Sequence, residues 1–281
     1  MDAVKIEGLC KNYKEFKLDN VSFEIPEGTI MGLIGENGAG KSTVINLITG
    51  ACIKDSGNIE IYGTEADKMP VKDREIIGTV FAGCGFPDEM TVNEVNGILK
   101  SIYDTWDEEK FFGYIEKFGI MKKGKIRSFS TGMRMKLEIA AAFSHGAKLL
   151  ILDEATNGLD PAARMEILDM LMDFIQDERC AVLISSHIVG DLEKICDYIT
   201  FIHNGRVIFS ENKDELLEKY AVINVSEKQL SELDSDAVVA EDRTKWSNKA
   251  LVYKSMIPEG FEKEKTTVED IMLYYIKRSE R

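Results

Sequence analysis

The chain has 281 residues, 44% of them hydrophobic, and carries a formal net charge of −14 with a sequence pI of about 4.8. That length buries a substantial core and fits one large α/β domain, or one domain with a small appendage. The acidic balance argues against nucleic-acid binding, which relies on counterion release by Lys and Arg, and no stretch approaches the ~20 apolar residues of a membrane-spanning helix.

In chain order, AVKIEGL and LDNVSFEI alternate apolar with polar residues and predict half-buried strands. The short apolar run GTIMGLI predicts a buried strand. Residues 35–43, GENGAGKST, follow that run directly and precede the helical VINLITG. This is the G-x-x-x-x-G-K-S/T pattern in its strand–loop–helix context. Gly35, Gly38 and Gly40 let the backbone turn so that successive N–H groups, with those of Asn37 and Ala39 between them, converge on phosphates. The helix N-terminus near Lys41 adds its positive dipole end. Lys41 is expected to reach the β- and γ-phosphates, Ser42 to ligate Mg²⁺, and Thr43 to meet an α-phosphate oxygen.

From residue 91 to 146 the period becomes helical. Val92, Val95, Leu99, Ile102 and Trp106 form one stripe, and Thr91 with Glu94 makes a capping box. DEEKFFGYIEKFGI supplies a second amphipathic segment through Phe111, Phe112, Ile115 and Phe118. In FSTGM, Ser130 is a candidate N-cap and Gly132 permits close backbone approach, so this helix start is a candidate anion site. Buried strands return in KLLILDE and CAVLISSH, separated by the helical PAARMEILDMLMDFIQ. Ligands gather at the carboxyl ends of parallel strands, which places Asp153, Glu154 and His187 at one edge. Asp153 suits the Mg²⁺ shell, Glu154 a general base toward a water, and His187 a hydrogen bond to the γ-phosphate. After about Gly205, AVINV, AVVAE and KALVYKS predict short strands and TTVEDIMLYYIKR a closing amphipathic helix. Cys10, Cys52, Cys84, Cys180 and Cys196 form no CxxC pair, which suits free thiols of a reducing cytosol. His145, His187 and His203 lack metal-site spacing, and MDAVKIEGL lacks the h-region of a secretory leader.

The order of the phosphate loop, FSTGM, LLILDE, NGLDP and SSH resembles the nucleotide-binding subunits of ABC transporters over about residues 1–215. The resemblance implies an α/β fold, a P-loop NTPase of ABC ATPase type. Its mixed sheet core has N-terminal antiparallel strands, and a helical subdomain is inserted at about 86–146. Residues 1–212 would form the ATPase domain and 213–281 a small α+β extension. The same resemblance implies ATP and Mg²⁺ and a second ATPase subunit, in a homodimer or heterodimer. It also implies a polytopic membrane subunit that holds the chain at the cytoplasmic face of the cell membrane. The family's signature turn is usually LSGGQ; here it is Phe129-Ser130-Thr131-Gly132-Met133. In the family it binds the γ-phosphate of ATP held by the opposite subunit, so Ser130 and Gly132 are expected to contact a neighbour's nucleotide. Asn157, Gly158, Leu159 and Asp160 match the D-loop, and Asp160 is expected at the same interface. Tyr13 falls where the family places an aromatic that stacks on adenine.

One position departs from the pattern. Ala82 stands where the family has a glutamine that helps ligate Mg²⁺, which predicts weakened metal positioning or slow basal turnover, offset by water, Asp88 or Glu89. Phe81 to Tyr103 should form the groove for the membrane subunit, with Phe86, Pro87 and Met90 as contacts. Chain length, the S-x-G-M variant and the C-terminal addition resemble bacterial exporters of the ABC-2 type. The competing readings are a soluble ABC-type ATPase and a non-hydrolysing ATP sensor.

Overall fold

The computed structural model describes residues 1–81, 85–243 and 248–279. The chain opens with strands β1 (Asp2–Asn12) and β2 (Lys17–Pro26), then runs through β3 (Ile30–Ile34) into helix α1 (Lys41–Ile48). The hairpin β4 (Ser56–Ile61) and β5 (Thr64–Glu65) follows, and β6 (Ile77–Phe81) leads to three helices, α2 (Val92–Ile102), α3 (Glu108–Lys117) and α4 (Thr131–Ser144). Next come β7 (Leu149–Asp153), α5 (Pro161–Phe174), β8 (Ala181–Ser185), α6 (Val189–Ile195), β9 (Tyr198–His203) and β10 (Arg206–Asn212). The last part holds α7 (Lys213–Lys219), β11 (Tyr220–Asn224), α8 (Glu227–Glu232), β12 (Val238–Arg243), β13 (Asn248–Tyr253), β14 (Lys263–Glu264) and α9 (Val268–Ser279).

Three sheets result. β2-β1-β4-β5 is antiparallel, and its alternation is the one the sequence predicts: Val21, Phe23 and Ile25 are buried while Ser22 and Glu24 face out. The central sheet runs β10-β9-β3-β8-β7-β6, parallel from β9 to β6 with β10 antiparallel at its edge. Every residue of β3 and β8 is buried, as expected of strands covered on both faces. The mixed core, the N-terminal antiparallel strands and the inserted helices are therefore as expected. Among the described residues no helix is long and apolar enough to cross a membrane.

The inserted helices build their own core around Val92, Val95, Phe111, Ile115 and Leu137. Thr91 and Glu94 form the capping box of α2. The predicted stripe stops early, because α2 ends at Ile102, which is 59% exposed. Trp106 lies beyond the helix and donates its indole N–H to Asn96 Oδ1 at 2.9 Å. Phe86 and Met90 pack half-buried on this helical core, whereas Pro87 is exposed. Ala82 lies outside the described residues.

The C-terminal sheet, β12-β13-β11-β14, is apolar on both faces. Tyr220, Val222 and Leu251 join the same apolar cluster as Ile184 and Phe201 of the central sheet. The opposite face, with Ala221, Ile223, Val225 and Val252, makes a smaller cluster with Leu230 of α8. A period of two in β11 thus covers two cores at once. Helix α9 adds Val268, Ile271 and Tyr274 to the larger cluster.

Candidate active site

The loop after β3 turns at the carboxyl edge of the central sheet and enters α1. Two of its glycines have no substitute. A methyl group at Gly35 would lie 2.3 Å from the Ile202 carbonyl oxygen. Gly40 caps α1 at φ 117°, a left-handed conformation, and a methyl group there would meet the Phe16 ring at 2.9 Å. The backbone is held where side chains cannot go, and the first N–H groups of α1 are left to face an anion.

Asn37, Gly38, Gly40, Lys41, Ser42, Thr43, Glu154 and His187 line one cavity of about 790 Å³, a volume suited to a small-molecule ligand. Lys41 is 5% exposed. Its Nζ donates to the carbonyls of Gly35 (2.8 Å) and Glu36 (3.2 Å) and lies 3.4 Å from Glu154 Oε1. Glu154 reaches the cavity through an unusual backbone. β7 stays in register to Asp153, opposite Ser185, and the next residue takes φ 53°. For a non-glycine residue that conformation costs about 1–3 kcal/mol. Its N–H is held by the Ser185 carbonyl (3.2 Å) and Oγ (3.0 Å).

Glu154 Oε2 meets His187 Nδ1 at 2.9 Å and accepts from the Asn157 amide. Burial alone would raise this carboxyl's pKa. Hydrogen bonds from His187 and Asn157, with the Lys41 charge, outweigh burial and hold it below the ordinary value. Asp153 sits behind Glu154 rather than on the cavity wall, and its Oδ1 accepts from Ser185 Oγ at 2.6 Å. Ser42 on the wall and Asp153 behind it are hard oxygen donors, and no group of three or more His, Cys, Asp or Glu side chains that could hold a metal occurs among the described residues. So sparse a donor set fits Mg²⁺, which keeps waters and binds through one or two protein oxygens plus phosphates. Asp88 and Glu89, considered above as substitutes for the missing glutamine, are tied up elsewhere. Asp88 pairs with Arg134, and Glu89 with Lys125 and Arg127.

The aromatic ring on the cavity wall is Phe16. Tyr13 is 48% exposed and directs its hydroxyl to Cys52 Sγ at 3.8 Å, with its ring 6.4 Å from that of Phe16. Ser130, Gly132 and Asp160 are not on this wall either, but they stand together. Ser130 caps α4 by accepting the Met133 N–H at 3.2 Å, and Asp160 caps α5 by accepting from Ala162 and Ala163 at 3.0 Å. A methyl group at Gly132 would come 3.7 Å from Leu159 and 3.9 Å from Ala163, so the two helix starts adjoin.

Three contacts at the site had no local sequence signal. Ser185 clamps both Asp153, the last residue of β7, and Glu154 just after it from the neighbouring strand. Phe16 closes on the loop. His203 Nδ1 lies 3.1 Å from Glu36 Oε2 in the phosphate loop, while Nε2 contacts Ser279 Oγ at 2.8 Å, at the end of α9. The phosphate loop holds one partner of the Phe16 and His203 contacts, and LLILDE that of the Ser185 contacts; the other partner is distant in sequence.

Comparison with known proteins gives concordant results. A family model described as ABC transporter matches residues 18–157. The chain is 35% identical over 222 residues to the lantibiotic transport ATP-binding protein SrtF of Streptococcus pyogenes, covering 76% of this chain and 95% of that one. It is 32% identical over 241 residues to the bacitracin transport ATP-binding protein BcrA of Bacillus licheniformis, covering 85% and 78%. A solved structure of an ATP-binding subunit of an ABC transporter superposes with a TM-score of 0.70 at 28% identity, over 76% of this chain and 91% of that chain.

Proposed function

The chain belongs to the ABC transporter ATP-binding proteins, and on that premise we propose that it hydrolyses Mg-ATP to drive export through a separate membrane-spanning subunit. The observation that carries this reading is the junction of Glu154, Lys41 and His187 on the phosphate-loop cavity. Relatives named for lantibiotic and bacitracin transport favour a peptide antibiotic as cargo.

Lys41 exchanges its contacts with loop carbonyls and Glu154 for phosphate oxygens, which frees Glu154 Oε1 for a water. Glu154 takes that water's proton as its oxygen bonds to the γ-phosphorus and the bond to the bridging oxygen of ADP breaks. His187 and Asn157 hold Oε2 and so orient the carboxylate. The lowered pKa keeps Glu154 ionised at neutral pH. Ser42 and, through a water, Asp153 would hold Mg²⁺, which would supply charge neutralisation at the phosphates. The paired helix starts at Ser130 and Asp160 are the surface offered to a second subunit's nucleotide, in a homodimer or a heterodimer. Its place is then the cytoplasmic face of the membrane.

Sedimentation of Glu154→Gln with and without ATP tests this. The expected result is an ATP-dependent dimer, abolished by a bulky residue at Ser130, with phosphate release reduced about 10²-fold or more. Unchanged phosphate release would remove Glu154 from the reaction. Wild-type protein that binds ATP and releases no phosphate would make it a sensor.

A further inference from the structure

The amino ends of β7 and β8 lie at the edge of the central sheet opposite the phosphate loop. Against them a cavity of about 450 Å³ opens between α3 of the inserted helices and the end of α5. Sites for small ligands span about 300–1,000 Å³. One wall is aromatic. Phe143 stacks on Phe174 with ring centroids 5.2 Å apart, and Tyr114 meets Phe143 edge-on at 5.6 Å.

The rim is basic, in a chain whose net charge is −14. Lys110 and Lys117 flank Tyr114 at helical spacing, so the three share one face of α3. Lys148 stands just before β7 and Arg179 just before β8. Two carboxylates share the wall. Asp177 is taken by Arg179, whose Nε and Nη2 donate to it at 2.9 and 2.7 Å. Asp173 is then the one acid facing three lysines. Among the described residues Lys110, Lys117 and Lys148 form no ion pair and no side-chain hydrogen bond, so they neither neutralise an acid nor cap the ends of α4 and α5. Their charges converge. Burial raises the pKa of the Cys180 thiol on this wall, and Arg179, Lys148 and Lys110 all pull it the other way. The Tyr114 hydroxyl makes no hydrogen bond among the described residues, and burial, with Asp173 nearby, raises its pKa, so it remains a free donor.

We propose that this cavity is a second ligand site, separate from the phosphate loop, for a nucleoside monophosphate. Lysine is a point charge that suits a phosphate, whereas a carboxylate is better matched by the arginine fork, which Asp177 already fills. The aromatic wall suits a planar base. Asp173 is an acceptor for a sugar hydroxyl, the duty an acidic residue performs toward ribose in dinucleotide sites. Phosphate, base and sugar each have a partner on the wall, and the volume suits one such ligand. The site does not depend on the transport reading.

The test is isothermal titration calorimetry of the full chain, saturated with Mg-ADP to fill the phosphate loop, against AMP, GMP, CMP, UMP and inorganic phosphate. At least one monophosphate should bind at a single site with a Kd of about 1 mM or below. Lys110→Gln combined with Lys148→Gln should weaken it about tenfold or more, with melting temperature and Mg-ADP affinity as in wild type. Inorganic phosphate should bind about tenfold more weakly than the nucleotide, because it leaves the rings bare. Absence of monophosphate binding, or binding that ignores the loss of both lysines, overturns the inference. So does phosphate that binds as tightly as the nucleotide, since the rings then read nothing. If the double variant melts early, Lys117→Gln alone decides: weaker binding supports the site, and wild-type affinity overturns it. A chain that never binds Mg-ADP removes the ATPase reading, and the lysine variants still decide this site.

Discussion

At the scale of single residues, conformation and charge are arranged around a few positions that admit little change. Gly40 combines a left-handed backbone with an aromatic ring 2.9 Å from where a side chain would start. Gly40→Ala should therefore distort the helix start and reduce ATP affinity at least tenfold in a binding titration; an unchanged Kd would contradict the cradle. Glu138 makes the complementary prediction in pH. A carboxyl whose pKa rises to about 7 on folding binds more protons in the native state, so stability falls as pH rises from the unfolded value of 4.5 toward 7. The cost is of order 2 kcal/mol. In denaturant titrations, Glu138→Gln should gain on wild type between pH 5 and 8 and show no such gain at pH 4. A stability difference that does not vary with pH would mean that the carboxyl does not titrate in this range.

At the scale of elements, helix ends do the positioning. α1 is capped by backbone alone, so its N–H groups remain free for phosphate. The starts of α4 and α5 are capped by Ser130 and Asp160. Ser130 therefore has a structural duty besides the proposed contact with a partner's nucleotide. Ser130→Ala should cost about 1 kcal/mol, a fall of about 2–4 °C in melting temperature for a chain of this size. It should leave the ATP affinity of the separated chain unchanged, because Ser130 is not on that chain's own cavity wall. Turnover should nevertheless drop. A changed Kd in the monomer would place Ser130 at its own nucleotide.

At the scale of the molecule, the C-terminal strands complete the main core rather than hang from it. Tyr220, Val222, Leu251, Val268 and Ile271 are in the same cluster as strands β7 to β9. Truncation after Glu211 would uncover that apolar face, and a large exposed patch leads to association. The truncated chain should aggregate on expression, and the full chain should unfold in one transition in calorimetry. A soluble, folded truncation with normal ATPase activity would show that the C-terminal part is dispensable. The contact of Ser279 with His203, and of His203 with Glu36, also places the end of α9 two side chains from the phosphate loop.

What the sequence alone determined is local or periodic. GENGAGKST specifies its loop because glycine, lysine and hydroxyl must stand at fixed spacing to meet phosphates. The alternation in β2 and the unbroken apolar runs of β3 and β8 specify half-buried and buried strands, because side chains alternate across a sheet. Tertiary structure decided what depends on residues far apart in the chain. Ser185 grips Asp153 only because β8 lies beside β7 in register, and Phe16 rather than Tyr13 reaches the cavity wall because of how the β1–β2 turn folds over α1. Glu138 sits in a sequence that reads as one more charged residue of a helix. It is buried only because α4 turns that position toward the end of β6, where it accepts the Gly85 N–H and burial raises its pKa to about 7.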